Sequence, residues 1–224
     1  MDSPSVPDPG ESVGPGSAAA RGAAVRSERE RILWAFVRVA SERGYEETTV
    51  DEVAGLAGLG RAEFERHFAD KEACFLAAYE TMSDLLIARV AAAFERTEGR
   101  PWADRVSAAL GDLVALLAAE AELARMPIVE VTAITGDARV RHREALDRFV
   151  PFLEGGRAHS PQEVELPEET ARLAIGGASS LIFDEFRAGR GSELTKLLPD
   201  LVFAVTMPYL GVEAAEAEMR KAKC

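Results

Sequence analysis

The sequence predicts an all-α protein, and three observations point to that fold class. Apolar residues recur at helical spacing through most of the 224-residue chain. Aromatic residues make up 7% of it, whereas alanine and leucine are plentiful, which suits packed helices better than sheets. Glycine and proline separate the apolar segments and mark helix ends and loops. With 47% hydrophobic residues, the chain can bury a substantial core.

The N-terminal segment shows no helical pattern. Proline, glycine and serine dominate residues 1–20, and such a composition buries too little apolar surface to fold. We therefore expect residues 1–26 to form a disordered tail.

Two helices are indicated directly after this tail. One apolar face is marked by Ile32, Leu33, Phe36, Val39 and Ala40. Gly44 ends the first helix, because glycine tolerates the left-handed conformation of a C-terminal cap. Thr49 and Glu52 form a T-x-x-E capping box, so a second helix begins near Val50.

A tight turn leads into a third short helix. Residues 57–60, AGLG, form the turn, and residues 61–67 make about two helical turns. Phe64 and Phe68 lie four residues apart, so both face the core, and Asp70 caps the next helix. Three helices in this order predict a helix-turn-helix domain over residues 27–70, which presents one short helix to the DNA major groove.

Three sequence elements carry a family resemblance. They are ERGYEETTVDEVAGLAGL at 42–59, the spacing F-x-x-H-F at 64–68, and DKE at 70–72. The segment resembles the DNA-binding domain of the TetR family of bacterial repressors. The resemblance implies a homodimeric transcriptional regulator that binds a palindromic operator and is released by a small effector.

The resemblance and the position of the third helix suggest which residues meet DNA. Contacts with the DNA backbone are expected from Thr49, His67 and Lys71. Base reading is expected from Arg61, Glu63 and Arg66. His67 has an alternative role, because a histidine at a helix end can stabilise the local carbonyl groups.

Two departures from the family pattern bear on DNA binding. Gly60, Ala62 and Glu63 replace the usual serine, glycine and threonine, and Glu65 replaces a tyrosine that touches a phosphate. A glutamate repels phosphate, although it can accept a hydrogen bond from cytosine N4 and so read sequence. Alternatively, Glu63 and Glu65 lie in solvent or pair with neighbouring arginines.

Charge restricts how the domain can bind DNA. The chain carries a net charge of −12, and residues 21–71 hold nine basic against ten acidic side chains. Binding should therefore depend on a few arginines and be modest and salt-sensitive. Four further arginines, at positions 21, 26, 29 and 31, form either an arm that touches DNA or a solvated lead-in.

Residues 71–212 predict a larger helical domain for effector binding and dimerisation. Helices are expected over about 71–96, from Pro101, and over about 121–134, 138–154, 168–188 and 193–210. The stretch 155–167 is expected to be a loop, and residues 213–224 a frayed, charged tail.

The family resemblance implies an effector cavity in this domain, lined by apolar side chains. The candidate lining residues are Leu86, Val90, Phe94, Trp102, Val106, Leu110, Phe149, Phe152 and Phe183. Such a lining suggests a largely apolar effector, although each residue could equally be ordinary core.

The last two predicted helices are apolar nearly all round, which requires cover on two sides. The resemblance implies that a second copy provides one cover through a four-helix bundle. The candidate interface residues are Ile175, Ala178, Ile182, Phe186, Leu198, Val202 and Val205. The alternative is that both helices are central to the core of one monomer.

Catalytic and metal-binding patterns are weak in this sequence. It has no nucleophile elbow and no phosphate-binding glycine loop, and its three histidines lack zinc-ligand spacing. We expect a non-enzyme without cofactor or metal. The run containing His142, Glu144 and Asp147 looks like a charged helix face, and Cys74 like a packed free thiol.

The expected location is the cytoplasm, because neither a signal peptide nor a membrane span is recognisable. A second functional class stays open beside the regulator. The chain could be a dimeric small-molecule-binding protein whose helix-turn-helix has lost its affinity for DNA, as Glu63, Glu65 and the overall acidity suggest.

Overall fold

The computed structural model describes residues 27–132, 137–161 and 165–223. Throughout these ranges the regular structure is helical, which confirms the all-α fold class. The expected tail at 1–26, including Arg21 and Arg26, lies outside the described residues, as does Cys224.

Four helices build the N-terminal domain and its link to the body. They are α1 (Glu28–Arg43), α2 (Val50–Leu56), α3 (Arg61–His67) and α4 (Lys71–Arg96). Side-chain caps fix three of the starts: Ser27 accepts a hydrogen bond from the Glu30 N–H, Thr49 from the Glu52 N–H, and Asp70 from the Ala73 N–H.

Seven helices build the larger domain. They are α5 (Trp102–Ala119), α6 (Ala121–Ile128), α7 (Asp137–Asp147), α8 (Val150–Glu154), α9 (Thr170–Arg187), α10 (Leu198–Leu210) and α11 (Val212–Lys221). Short 3-10 helices occupy Glu130–Thr132, Gly155–His159 and Gly191–Leu197.

Some expected boundaries are wrong, and proline explains one of them. The helix expected at 138–154 is divided into α7 and α8, with Pro151 in the first turn of α8, where its missing N–H costs nothing. The expected loop at 155–167 begins instead with a 3-10 helix. Similarly, 3-10 helices follow α6 and precede α10.

The C-terminal segment is an ordered helix, which corrects the expected frayed tail at 213–224. Helix α11 packs along α10 and touches α5, and it buries Ala215 completely. Lys221 Nζ lies 3.3 Å from Asp104 Oδ1 on α5. The sequence pattern missed this helix because its buried side chains are small alanines between charges.

Two hydrophobic cores share the long helix α4. The first joins α1, α2 and α3 to the N-terminal half of α4, around Phe36, Phe64 and Phe75. The second joins the C-terminal half of α4 to the larger domain. Cys74 is buried in the first core, and burial raises the pKa of its thiol to about 12, which makes it an unreactive packing residue.

The two cores are tied together by polar contacts across α6. Ser41 Oγ donates a hydrogen bond to the Leu123 carbonyl at 3.1 Å. Glu130, which is 8% exposed, accepts a hydrogen bond from the Tyr45 N–H at 2.9 Å. The loop that follows α1 is therefore held by a side chain of the larger domain.

Across the described ranges, none of the helices combines the length and apolarity needed to cross a membrane.

Candidate DNA-binding surface and effector cavity

Helix α3 is held on the first core by aromatic side chains. Phe64 is 1% exposed, and Phe68, directly after the helix, packs beside it with ring centroids 5.6 Å apart. The turn before α3 closes through a hydrogen bond from the Leu59 N–H to the Ala54 carbonyl, with Gly58 at φ +70°. This arrangement leaves the opposite face of α3 in solvent, as the helix-turn-helix prediction requires.

Arg61 is exposed at the N-terminal end of α3 and is already paired with carboxylates. Its Nε donates a hydrogen bond to Glu65 Oε1 at 2.9 Å, and its Nη1 lies 3.3 Å from Asp51 Oδ1. The hydrogen bond to Glu65, aided by Asp51, raises the pKa of the guanidinium. Because exposed pairs of this kind contribute little stability, Arg61 can exchange them for DNA phosphates or bases.

Glu63 turns back on its own helix. Its Oε2 accepts a hydrogen bond from the Gly60 N–H at 3.0 Å, which satisfies a free amide at the start of α3. A Cβ at position 60 would lie 2.7 Å from that oxygen, so glycine leaves room for the carboxylate. The capping contact explains the departure at Gly60 and directs Glu63 away from the base-reading role expected of it.

Arg66 and His67 share one carboxylate, that of Glu28 on α1. His67 Nε2 lies 3.1 Å from Glu28 Oε2, and Arg66 Nη2 lies 3.6 Å from the same oxygen and 3.8 Å from Glu63. The hydrogen bond with His67, together with Arg66, lowers the pKa of Glu28. Sequence reasoning missed Glu28, because its contact with α3 spans 39 residues of chain.

Thr49 and Lys71 both have structural partners. Thr49 caps α2 and also donates a hydrogen bond to Glu52 Oε2 at 3.1 Å, yet it remains exposed. Lys71 Nζ donates to the Tyr45 carbonyl at 2.9 Å and the Glu46 carbonyl at 3.2 Å, and lies over the Tyr45 ring. Lys71 therefore holds the loop between α1 and α2 with two of its three N–H donors, and its expected contact with a DNA phosphate stays a prediction.

The structure gives the seven expected DNA-binding residues different surroundings. Those exposed around α3 are Thr49, Arg61, Glu65, Arg66 and His67. Their basic members are paired with Glu28, Asp51, Glu63 or Glu65. Any DNA must therefore displace carboxylates from these cations.

The second core contains an apolar cavity of about 140 Å³. Seven of the nine expected lining residues are in its wall: Leu86, Val90, Phe94, Val106, Leu110, Phe149 and Phe152.

Two expected lining residues are elsewhere. Trp102 is buried against Tyr209, with ring centroids 5.1 Å apart, and its Nε1 donates a hydrogen bond to the Phe152 carbonyl. Phe183 is half-buried beneath the Arg187 guanidinium and does not belong to the cavity wall. Both were expected from their apolarity alone, which does not reveal the direction of a side chain.

The lining also includes polar residues that sequence reasoning did not select. Tyr79 and Ser83 come from α4, and His142 from α7, with Tyr79 Oη 3.0 Å from His142 Nδ1. The only sequence signal was the helical spacing that directs Tyr79 inward. His142 is in a run that reads as a charged helix face, but its ring is half-buried and contacts Tyr79 of α4.

The expected dimer residues are turned towards the monomer's own core. Four of them line the cavity, namely Ile175, Ala178, Ile182 and Val205. Phe186 and Val202 are also buried, and Leu198 is half-buried against the second core. Their own chain therefore covers most of these side chains, and their part in a dimer stays a prediction.

The other face of α9 is exposed and made of small and apolar residues. Leu173 is 73% exposed and Leu181 39% exposed. Between them lie Gly176, Gly177 and Ser180, and an added Cβ at either glycine would meet nothing within 4 Å. This face, Leu173–Leu181 at helical spacing, permits close approach of another helix.

Among the described residues, no three histidine, cysteine, aspartate or glutamate side chains are grouped to hold a metal ion.

Comparison with known proteins agrees with this architecture. Residues 32–78 match the family model described as bacterial regulatory proteins, tetR family. Over 77 residues the chain is 29% identical to the uncharacterized HTH-type transcriptional regulator YerO of Bacillus subtilis. That alignment covers 34% of this chain and 27% of YerO, so the chain matches about a quarter of that relative's length.

Solved structures resemble most of the fold. The fatty acid degradation regulator FadR of Bacillus halodurans has a TM-score of 0.68 at 18% identity, over 81% of this chain and 95% of its own. FadR of Bacillus subtilis in complex with stearoyl-CoA has a TM-score of 0.66 at 20% identity, over 81% of this chain and 98% of its own. AibR in complex with isovaleryl coenzyme A and operator DNA has a TM-score of 0.57 at 21% identity, over 70% of this chain and 86% of its own.

The fold and the surface together define an all-α protein with an N-terminal helix-turn-helix domain and a larger helical body. The resemblance to the TetR family is confirmed by the match of residues 32–78 to that family's model.

Proposed function

We propose that this protein is a TetR-like transcriptional regulator, a repressor that binds a palindromic operator as a homodimer and is released by a small, largely apolar effector. One observation carries the proposal: a rigidly seated α3 exposes Arg61 and Arg66 in the same chain that encloses an apolar cavity. A regulator of this class needs both a DNA-recognition helix and an effector site.

The DNA-binding role is supported by the way α3 is mounted. Phe64 and Phe68 fix the helix on the core, so its exposed side chains are held in a constant register for the major groove. Arg61, Glu65 and Arg66 face solvent and can contact base edges or phosphates after exchanging their present partners. Thr49 and His67 flank them as contacts to the DNA backbone.

The effector role is supported by contacts that connect the cavity wall to the helix-turn-helix domain. Pro127 and Ile128 line the cavity, and Glu130, two residues further on, accepts the hydrogen bond from the Tyr45 N–H. An occupant that displaces the end of α6 would therefore move the loop between α1 and α2. The complexes of FadR with stearoyl-CoA and AibR with isovaleryl coenzyme A are consistent with an apolar chain in such a body.

The homodimer is supported by the exposed face of α9. Leu173 and Leu181 present apolar surface, and the glycines between them allow a second helix to approach closely. We therefore assign the dimer contact to Leu173, Gly176, Gly177, Ser180 and Leu181 in place of the inward-facing set. A twofold axis through this face gives two copies of α3 related as a palindromic site requires.

Selection from a random duplex library with the purified full-length protein, at low and moderate salt, tests the regulator role. Enrichment of a palindromic site is the expected result. On that site, Arg61→Ala should weaken binding at least tenfold, on the scale of roughly 1–3 kcal/mol for a base contact. Arg220→Ala on α11 provides the control for loss of an exposed arginine. An unchanged affinity of Arg61→Ala would contradict the placement of α3 in the groove.

A second candidate function is a dimeric small-molecule-binding protein without specific DNA binding. The carboxylates that surround the cations of α3 favour it. In that case the library yields no enriched site at either salt concentration, and Glu65→Tyr creates or greatly raises DNA binding. Tight sequence-specific binding by the native protein would eliminate this candidate.

A further inference from the structure

The cavity has one polar end, formed by Tyr79, Ser83 and His142. Tyr79 Oη lies 3.0 Å from His142 Nδ1, and the Ser83 hydroxyl hydrogen-bonds with the Tyr79 side chain. Ser179 is a fourth hydrogen-bonding residue in the wall, whereas the other lining residues are apolar. A ligand that fills the cavity therefore meets hydrogen-bonding groups at the end near α7.

The groups at this end are electrically neutral near pH 7. Burial raises the pKa of Tyr79 to about 12 and lowers the pKa of His142 from its ordinary 6.5. Among the described residues in the cavity wall, none is an aspartate, glutamate, lysine or arginine. A carboxylate bound here would lack a counter-charge, and burying an unpaired charge is costly.

The surface outside this end is no better suited to an anion. An outer pocket shares Tyr79, Ser83 and Ala145 with the cavity. Its ionisable side chains are the acids Glu80, Asp84 and Glu144 and the bases Arg141 and Arg148. Both arginines are paired, Arg141 with Glu80 at 3.2 Å and Arg148 with Asp84 at 2.7 Å. Acids outnumber bases, so the pocket would repel a polyphosphate.

We propose that the effector is an uncharged molecule whose apolar chain fills the cavity and whose carbonyl or hydroxyl head hydrogen-bonds with Tyr79, Ser83 and His142. The inference rests on the proposed effector-binding function and specifies the head group. It separates this protein from FadR and AibR, whose named ligands are coenzyme A thioesters. Esters, ketones and alcohols with a long alkyl chain have the required chemistry.

The polar end is also connected to the DNA-binding domain. The Tyr79 ring stacks on Phe75, with centroids 6.4 Å apart, and Phe75 contacts the rings of Phe36 and Tyr45. A head group that replaces His142 as the hydrogen-bond partner of the Tyr79 hydroxyl would move the Tyr79 ring. That movement would shift the aromatic cluster that packs against α1 and the loop after it.

Calorimetric titration of the full-length protein with four matched probes tests the proposal. The probes are methyl decanoate, decanoate, decanoyl coenzyme A and decane. Methyl decanoate should bind at least about tenfold more tightly than decanoate or decanoyl coenzyme A. Decanoate would bury its carboxylate without a counter-charge, and the phosphates of decanoyl coenzyme A would meet the acidic outer pocket, whereas the ester is uncharged. It should also bind more tightly than decane, which lacks a head group.

Removing the hydroxyl of Tyr79 provides the second measurement. Tyr79→Phe should weaken binding of methyl decanoate by about tenfold and leave decane unchanged, because only a hydrogen bond is lost. Tyr209→Phe, which removes a hydroxyl outside the cavity wall, is the matched control. If Tyr79→Phe fails to fold, Ser83→Ala is measured in its place. It should weaken the binding of methyl decanoate and leave the binding of decane unchanged.

The outcomes distinguish this inference from the function on which it rests. Tighter binding of decanoate or decanoyl coenzyme A would overturn the neutral head while leaving an effector-binding regulator intact. An ester affinity unchanged by Tyr79→Phe and Ser83→Ala would overturn the placement of the head. No binding by any probe would contradict both the inference and the assignment of the cavity to an effector.

Discussion

At the scale of residues, the side chains around α3 compensate one another's charge. Arg61, Arg66 and His67 all have carboxylate partners within 3.6 Å. These pairs are exposed, so each adds little to stability and is easily exchanged. Under the proposed function, affinity for DNA would depend on how much more strongly phosphates bind these cations than the protein's own carboxylates do. A single acidic residue would then control a measurable share of that affinity.

Glu28 offers the sharpest test of this compensation. Glu28→Gln should raise operator affinity about threefold to tenfold, because it releases both Arg66 and His67 and removes one repulsive charge. Fluorescence anisotropy with a labelled operator duplex measures the change. Glu216→Gln, which removes one carboxylate from the exposed pair with Arg220 on α11, is the matched control. Equal effects of the two substitutions would mean that only net charge matters.

His142 makes stability depend on pH. Its folded-state pKa lies below the ordinary 6.5 because the ring is buried, so the unfolded chain binds a proton more readily than the folded one. Stability is therefore greatest above pH 6.5 and should fall as the pH drops from 6.5 through the lower folded pKa. Urea unfolding across this range should show a smaller loss for His142→Gln. A steeper loss in that variant would contradict the burial of His142.

At the scale of elements, α9 determines how two chains could meet. Its inward face, with Ile175 and Ile182, lines the cavity, whereas its outward face exposes Leu173 and Leu181 around two glycines. The helix is covered on one side by its own chain. The opposite side exposes apolar surface, which favours a second copy there.

Gly177→Arg should convert a dimer to a monomer without unfolding the chain. A Cβ at Gly177 meets nothing within 4 Å, so the larger side chain has space in the monomer but would obstruct an approaching helix. Analytical ultracentrifugation measures the mass, and thermal unfolding checks the fold. Gly55→Arg on α2 is the matched control, since that position is equally open. A Gly177→Arg protein that stays dimeric would place the interface elsewhere.

The sequence was sufficient to predict elements that depend on local chemistry. The capping residues Thr49 and Asp70 and the turn at Gly58 act within a few neighbouring residues, so the helix-turn-helix could be predicted in order. Directions that depend on distant contacts could not be predicted. Helix α9 is apolar on both faces, so periodicity does not show which face meets the core. The contact of His142 with Tyr79 spans 63 residues of chain, which no local pattern reveals.

At the scale of the whole molecule, Glu130 forms a polar contact between the larger domain and the loop after α1. Its carboxylate is buried, accepts the Tyr45 N–H and lies 3.8 Å from Arg125 Nε. Gly44 has φ +87°, and a Cβ there would lie 3.3 Å from Glu130 Oε2, so this contact relies on glycine at the end of α1. The two domains are thereby joined at a point close to the cavity wall.

Glu130→Ala should lower the free energy of unfolding by about 1–3 kcal/mol, because it leaves the Tyr45 N–H without its acceptor. Hydrogen exchange of the Tyr45 amide should accelerate in the same variant. Glu130→Gln keeps an oxygen acceptor and should restore most of the protection. If both variants exchange at the native rate, the two domains do not depend on this contact.

The carboxylates around α3 also affect how the protein would find an operator in a genome. On DNA of arbitrary sequence, phosphates alone must displace Glu28, Asp51 and Glu65 from the cations, and the net charge of −12 opposes close approach. Under the proposed function, contacts with arbitrary DNA would therefore be brief, and long one-dimensional sliding would be disfavoured. The search for an operator would then proceed mainly by repeated collisions from solution.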